Sequence, residues 1–238
     1  MRCLDLTLPT MEENLALDEA LLLEAEAGRG GEVLRFWEWP LPAVVLGAGG
    51  RLAEDVDEAA CRADVVPILR RSSGGGTVLL GNGCLLFSLV LAYDRSPLLR
   101  EIRSSYCYIL GQIRDALADI LPGIGCAGTS DLAAGGSKFS GNAQQRKRHH
   151  LLHHGTLLYR FDADLLSRYL RMPVRQPEYR AGRDHAAFLR NLPTAAQDLR
   201  TRLRGAWVIE QEDSSYPVQL VRQLVAEKYG KVEWHRRR

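Results

Sequence analysis

The stretch at positions 70–78 constrains this chain most, reading Arg-Arg-Ser-Ser-Gly-Gly-Gly-Thr-Val. An apolar run at 65–69 precedes it and another at 85–91 follows, which predicts a strand, a glycine loop and a second strand. Three consecutive glycines exceed what a tight turn needs, and they let backbone N–H groups approach a ligand closely. The two arginines before them favour a phosphate or a carboxylate. The stretch therefore indicates an anion-binding loop.

Composition places the chain among ordinary globular proteins. Its 238 residues are 46% hydrophobic and 25% charged, with a formal net charge of +2. This charge does not favour nucleic-acid binding, and no apolar run is long enough to span a membrane. No signal peptide is recognisable at the start. The five cysteines are scattered without metal-site spacing, so we expect reduced thiols in the cytoplasm.

The order of predicted elements favours an α+β fold with a mixed, largely antiparallel sheet flanked by helices. Helices are predicted at 10–27, 55–63, 100–120, 162–170, 193–204 and 217–228, with strands between them. The glycine loop matches neither the dinucleotide-binding pattern nor the P-loop pattern. We expect a catalytic domain at 1–195, a small C-terminal appendage at 196–238, and a frayed, solvated tail at 235–238.

A second informative stretch runs from Asp131 to Gln144 and contains Lys138 among glycines and other small residues. Small neighbours leave room for a ligand, and an ammonium group there can neutralise a phosphate while polarising a carbonyl oxygen. The alternative is a solvated surface lysine. Nearby histidines have no carboxylate or cysteine at ligand spacing, so no metal site is predicted from protein ligands.

These motifs together resemble the lipoate–protein ligase family, within the superfamily of biotin ligases, lipoate ligases and octanoyltransferases. The resemblance is carried by 70–78, by Asp131-Leu132, by Gly-Gly-Ser-Lys-Phe-Ser-Gly-Asn-Ala-Gln at 135–144 and by His-His-Gly-Thr-Leu-Leu-Tyr at 153–159. It covers about residues 10–195 and implies the biotin/lipoate ligase catalytic-domain fold.

The resemblance implies a ligase that uses ATP and Mg²⁺ to activate lipoate or octanoate as an acyl-adenylate. The acyl group then passes to a lysine of a carrier domain. Lys138 is the implied catalytic residue, contacting the acyl carbonyl and the phosphate. The implied contacts to the acyl-adenylate are Arg70, Arg71, Ser73, Gly74, Gly75, Gly76, Thr77, Val78, Asp131, Ser140, Gly141, Ala143, His154, Gly155 and Thr156.

An octanoyltransferase is the main alternative, because relatives of that kind use a cysteine thioester and an octanoyl acyl carrier protein. Cys126 lies in the same general loop as the nucleophile of one such group, and it would need a lowered pKa. The sequence also departs from the ligase pattern in two ways. No His-Asp pair follows the glycine loop, and only about 40 residues follow the catalytic region. A biotin ligase and a non-catalytic binding module are weaker alternatives.

The resemblance also implies the partner, a lipoyl carrier domain. Candidates are a glycine cleavage H-like protein, an E2 subunit and a sulfur-oxidation lipoate-binding protein. We expect a monomer without nucleic-acid or membrane partners. The segment 175–185, rich in arginine, is predicted as an ordered loop that covers the pocket or meets the carrier; a salt-bridged surface loop is the alternative.

Overall fold

The computed structural model describes all residues, 1–238, and contains two sheets surrounded by helices. The strands are β1 Arg2–Asp5, β2 Val33–Glu38, β3 Ala43–Leu46, β4 Ile68–Arg70, β5 Val78–Leu80, β6 Cys84–Ala92, β7 Ile124–Ala127, β8 Asp131–Ala134, β9 Ser137–Arg146, β10 His150–Leu158 and β11 Gln211–Glu212. The helices are α1 Met11–Glu26, α2 Leu52–Asp55, α3 Glu58–Ala63, α4 Ile102–Ala116, α5 Asp164–Tyr169, α6 His185–Phe188, α7 Ala196–Ala206, α8 Val218–Leu224 and α9 Val232–His235.

The large sheet has the strand order β11-β1-β2-β6-β10-β9-β8-β7. All its pairings from β2 to β7 are antiparallel, whereas β1 runs parallel to both β2 and β11. In the small sheet β3 lies between β4, which is parallel to it, and β5, which is antiparallel. The predicted mixed, largely antiparallel sheet is confirmed.

Strand β6 explains why the large sheet separates two hydrophobic cores. Alternate residues of a strand point to opposite faces. Leu86 and Val90 belong to a core shared with α1 and the small sheet, while Phe87 and Leu89 belong to a core shared with α4 and α7. An apolar strand buried on both faces therefore needs no hydrophobic–polar alternation.

Local signals account for the helix boundaries. Thr10 caps α1 through a capping box with Glu13, as its sequence position predicts. The single helix predicted at 55–63 is instead two, because Asp57 is extended and caps α3 by accepting a hydrogen bond from the Ala60 N–H. Strand β9 is missing from the prediction because its residues are mostly small or polar, types that strands do not favour.

Residues after 195 are continuous with the rest of the fold. Leu199 and Leu203 of α7 are fully buried in the core beneath α4, β11 joins the large sheet beside β1, and Tyr229 is fully buried near α1. The prediction of a frayed, solvated tail is wrong for His235, which is buried, and the Arg238 carbonyl accepts a hydrogen bond from the Leu52 N–H. The three residues after His235 are exposed, as predicted. No helix combines the length and the apolarity that crossing a membrane requires.

Candidate active site

Two connected cavities open beside the glycine loop, which we define as residues 71–77. The inner cavity has a volume of about 160 Å³ and the outer one about 1010 Å³. Residues that line both are Gly76, Thr77, Val78, Ser130, Asp131, Lys138, Gly141 and Thr156. Lys138, the residue with the most specific prediction, therefore lies where the two cavities meet.

The two cavities differ in chemistry. Much of the surface of the inner cavity is apolar, and Asp18, Arg71 and His154 also line it. Its apolar side chains are Leu15, Trp37, Val45, Val78, Leu80, Leu86, Phe87 and Ala143. The outer cavity is lined by basic side chains as well: Arg51, Lys138, Arg171, Arg175, Arg180 and Arg238. This arrangement suits a ligand with an apolar chain and an anionic head.

Arg71 holds the glycine loop together from inside. Its guanidinium donates to the carbonyls of Gly74 and Gly76 at 2.7 and 2.8 Å, to the Val45 carbonyl at 3.2 Å, and to Ser73 Oγ at 3.0 Å. Burial lowers the pKa of Arg71 to about 10. The loop thus carries a buried positive charge that also lines the inner cavity.

Close backbone contact explains why glycines are needed here. A Cβ on Gly47 would lie 2.0 Å from the Gly75 carbonyl oxygen, and Gly75 itself has a φ of +86°. The turn after β3 and the glycine loop therefore touch at a point where only hydrogen fits.

His154 connects the loop to α1. Its Nε2 lies 2.6 Å from Ser73 Oγ, and its Nδ1 lies 3.3 Å from Asp18 Oδ2. Asp18 in turn accepts a 2.6 Å hydrogen bond from the buried Arg35. Burial acts to raise the pKa of Asp18, but Arg35 and His154 outweigh it and the pKa is lowered. Both ring nitrogens of His154 are thus occupied, so its hydrogen bonds position the loop.

Lys138 extends across Gly141. Its Nζ is 2.8 Å from Asp131 Oδ1, and a Cβ on Gly141 would lie 2.8 Å from that Nζ. Asp131 and Gly141 are register partners in β8 and β9. A glycine at position 141 therefore leaves the path of the lysine side chain open.

Arg70 was predicted to contact the ligand, but it lines neither cavity. It is fully buried, and its guanidinium donates to the carbonyls of Gly47, Gly50, Trp234 and His235. All three of its guanidinium nitrogens donate within the protein. Arg70 joins the turn after β3 to the C-terminal residues.

The structure brings most of the predicted site residues together around the two cavities. These are Arg71, Gly75, Gly76, Thr77, Val78, Asp131, Lys138, Ser140, Gly141, Ala143, His154, Gly155 and Thr156. Arg70, Ser73, Gly74 and Cys126 line neither cavity. Ser73 still belongs to the site through its hydrogen bonds with Arg71 and His154.

Cys126 lies on the edge strand β7, and its register partner is Leu132. Leu132 belongs to the core beneath α4, and cross-strand partners share a face, so Cys126 points away from Asp131 and Lys138. Burial raises the pKa of the Cys126 thiol even though Arg114 acts to lower it. An activated Cys126 thiol would need a lysine close enough to lower its pKa. Lys138 does not meet this condition, because it lies on the other face of the sheet.

Several residues of the site were not predicted from the sequence. Asp18 is one of many acidic residues in α1, and its partner His154 is 136 positions away. Trp37 and Leu15 look like core residues. Asp55, which accepts a 2.7 Å hydrogen bond from Thr77, was predicted only as part of a helix. A polar residue inside an otherwise buried helix face is the one signal that points to Asp18.

No group of three or more His, Cys, Asp or Glu residues is arranged to hold a metal ion. Mg²⁺ needs no such group when substrate phosphates supply most of its ligands. Glu54 and Asp55 line the outer cavity and provide carboxylates of the required kind. The site therefore fits an ion that arrives with a nucleotide.

Comparisons with known proteins agree with this geometry. The family model of the lipoyl protein ligase A/B catalytic domain matches residues 10–200. The octanoyltransferase LipM of Carboxydothermus hydrogenoformans is 31% identical and the alignment covers 93% of each chain. Lipoate-protein ligase A bound with ATP has a TM-score of 0.82 at 25% identity, covering 99% of this chain and 98% of the other.

A further solved structure shares the fold. It is the bi-partite lipoate protein ligase of Thermoplasma acidophilum, described together with its E2 lipoyl domain. Its TM-score is 0.84 at 24% identity, covering 99% of this chain and 95% of the other. The family match, the relative and the shared fold lead to one conclusion: this chain belongs to the lipoyl protein ligase A/B catalytic-domain family of lipoate ligases and octanoyltransferases.

Proposed function

We propose that this protein is an ATP-dependent lipoate–protein ligase, which activates lipoate or octanoate as acyl-AMP and transfers the acyl group to a carrier lysine. The observation that carries the proposal is the place of Lys138, at the junction between an apolar inner cavity and a basic outer cavity. An acyl chain fits the first and a nucleotide the second, so the ammonium group meets the reacting carboxylate.

In the first step an oxygen of the acyl carboxylate attacks the α-phosphorus of ATP. A new P–O bond forms, the bond to the β-phosphate breaks, and pyrophosphate leaves. Lys138 offsets the charge that develops on the phosphate, and the buried Arg71 adds positive potential beside the inner cavity. Mg²⁺ bound with the phosphates near Glu54 and Asp55 would neutralise further charge.

In the second step the uncharged amine of the carrier lysine attacks the acyl carbonyl carbon. The bond from that carbon to the AMP oxygen breaks, AMP leaves, and the amine loses a proton to solvent. AMP is a good leaving group, so the protein needs only to orient the reactants and donate to the carbonyl oxygen. In this proposal Lys138, which lines both cavities, supplies that donor.

The acceptor we propose is a lipoyl carrier domain. The related Thermoplasma acidophilum ligase is described with its E2 lipoyl domain, which supports an acceptor of this kind. We further propose that the enzyme works in the cytoplasm, since all five cysteines are free thiols.

An octanoyltransferase is the second candidate, and the 31% identity to a LipM octanoyltransferase supports it. That reaction passes the octanoyl group from a carrier thioester to an enzyme thiolate, releasing the carrier thiol, and then to the lysine. Neither cavity is lined by a cysteine, so this route requires a thiol to reach the pocket from elsewhere. For this reason we favour the ligase.

Mass spectrometry of an apo lipoyl domain separates the two candidates. One reaction contains the protein, lipoate and ATP–Mg²⁺, and the other contains octanoyl acyl carrier protein without ATP. A ligase modifies the domain only in the first reaction and releases AMP and pyrophosphate in equal amounts. Modification in the second reaction alone would replace the ligase with the transferase.

A further inference from the structure

The Asp131 carboxylate is held at both of its oxygens. Lys138 Nζ lies 2.8 Å from Oδ1, and the Tyr179 hydroxyl donates a 2.8 Å hydrogen bond to Oδ2. We propose that Tyr179 is a positioning residue for acyl activation, fixing Asp131 so that Lys138 stays at the junction of the two cavities. This inference rests on the proposed role of Lys138.

The phenol is what prevents the carboxylate from rotating. The terminal torsion of an aspartate is broad, so a carboxylate held at one oxygen can swing about it. The Asp131 side chain is only 10% exposed, which leaves little access for water to replace the phenol. Losing the hydroxyl would therefore free the carboxylate and let the ammonium group drift with it.

Tyr179 is itself supported on both sides. Its ring packs against Phe188 with the ring centroids 5.1 Å apart. Arg183 donates to the Tyr179 carbonyl at 2.8 Å and to the Gly136 carbonyl at 2.7 Å. Gly136 lies in the turn that leads into β9 and Lys138. The same segment thus braces the phenol and the start of the strand that carries the lysine.

The chemistry of the phenol suits a fixed donor. Burial and the neighbouring Asp131 raise the pKa of Tyr179 well above its ordinary value, so the hydroxyl keeps its proton. Tyr179 lines neither cavity, and it acts on substrate only through Asp131 and Lys138. It is a positioning residue rather than a catalytic one.

The kinetic test uses Tyr179→Phe, which keeps the ring and removes the hydroxyl. We expect kcat for acyl-AMP formation to fall roughly tenfold, as for loss of a hydrogen bond to a charged group, with KM for lipoate changed less than about twofold. Tyr169→Phe is the matched control, because it removes a 2.9 Å hydrogen bond to Asp64 outside the site. In an Asp131→Asn background, Tyr179→Phe should have almost no further effect.

A second readout does not depend on activity. Limiting acetic anhydride labels lysines according to how free their amines are, and the exposed Lys147 and Lys231 serve as internal references. We expect Lys138 to be labelled severalfold faster in the Tyr179→Phe variant than in the protein with the wild-type sequence. Unchanged labelling, or kinetic effects that add in the Asp131→Asn background, would overturn the inference. A protein without ligase activity would still give the labelling result, so failure of the proposed function is recognised separately.

Discussion

The backbone N–H of Arg70 donates a 2.9 Å hydrogen bond to Nδ1 of His235, 165 positions further along the chain. The Arg70 side chain also contacts this residue, because its Nη2 donates a 3.0 Å hydrogen bond to the His235 carbonyl. His235 Nε2 in turn lies 2.7 Å from the Tyr229 carbonyl. The C-terminal residues therefore hold the strand that leads into the glycine loop.

Replacing Arg70 with lysine tests this role. Lysine keeps the charge but cannot reach four carbonyls at once, and each buried group left unpaired costs ~1–3 kcal/mol. We expect the free energy of unfolding to fall by about 2–4 kcal/mol in urea titrations, with a KM for lipoate close to that of the unmodified protein. Arg29→Lys, at an exposed ion pair with Glu24, is the control and should change stability little. If Arg70→Lys instead raised the KM for lipoate without lowering stability, Arg70 would be a ligand contact and not a structural residue.

Gly47 offers a test of the contact between the turn and the loop. In Gly47→Ala the new methyl would overlap the Gly75 carbonyl oxygen, 2.0 Å away, so the backbone has to move. We expect a loss of roughly 2–4 kcal/mol of stability, typical of strain at a tightly packed position, together with weaker substrate binding. Thermal unfolding and KM measurements would reveal both.

Gly111→Ala is the control for that change. Gly111 lies inside α4, and a Cβ there would meet nothing within 4 Å. Alanine is favoured over glycine in a helix by ~1 kcal/mol, so this variant should be more stable than the unmodified protein. If both variants had the same effect, the overlap at Gly47 would not be the cause.

The sequence predicted the glycine loop and a ligand-accessible Lys138 from the glycines and small residues around them, and it predicted the mixed sheet from the order of the elements. It could not separate Arg70 from Arg71. Neighbouring residues at the end of a strand face opposite sides, and the side that meets the ligand depends on how the small sheet packs. The same holds for Cys126, whose direction is fixed by its register with Leu132. Asp18 and Tyr179 join the site through partners far away in the sequence.

His153 makes stability depend on pH. Burial lowers the pKa of His153 to about 3, and its Nε2 donates to Asn142 Oδ1 while Nδ1 accepts from Gln144. In the unfolded chain the imidazole takes up a proton near its ordinary pKa of 6.5. The folded protein excludes that proton, so the stabilising contribution is full above pH 6.5 and is lost as the pH falls towards 3.

We expect this residue to add a slope of about 1.4 kcal/mol per pH unit to the free energy of unfolding between pH 6 and pH 4. His153→Gln has no titrating group, and its stability should vary less with pH over the same range. Urea titrations at several pH values measure the slope directly. Equal slopes in the two proteins would show that another group causes the acid sensitivity.

Lys138→Ala should reduce the rate of acyl transfer severely without unfolding the protein. Removing one charged donor from the transition state costs ~10²–10³ in rate, while the Lys138 side chain is 26% exposed and adds little to the core. Lys147→Ala, in the turn after β9, is the matched control and should keep full turnover. Comparable turnover by a folded Lys138→Ala protein would exclude the proposed role.

Cys126→Ser replaces one sulfur atom with oxygen and distinguishes the ligase from the octanoyltransferase. The Cys126 thiol lies on the far side of β8 from Lys138, and burial raises its pKa, so it is a poor nucleophile at neutral pH. We expect Cys126→Ser to retain the full rate of lipoate transfer with ATP–Mg²⁺, measured by mass spectrometry of the carrier. Serine is close in size, so the protein should fold normally. Loss of transfer from octanoyl acyl carrier protein in this variant, with no change in Cys107→Ser, would establish the thioester route and require β7 to rearrange towards the cavities.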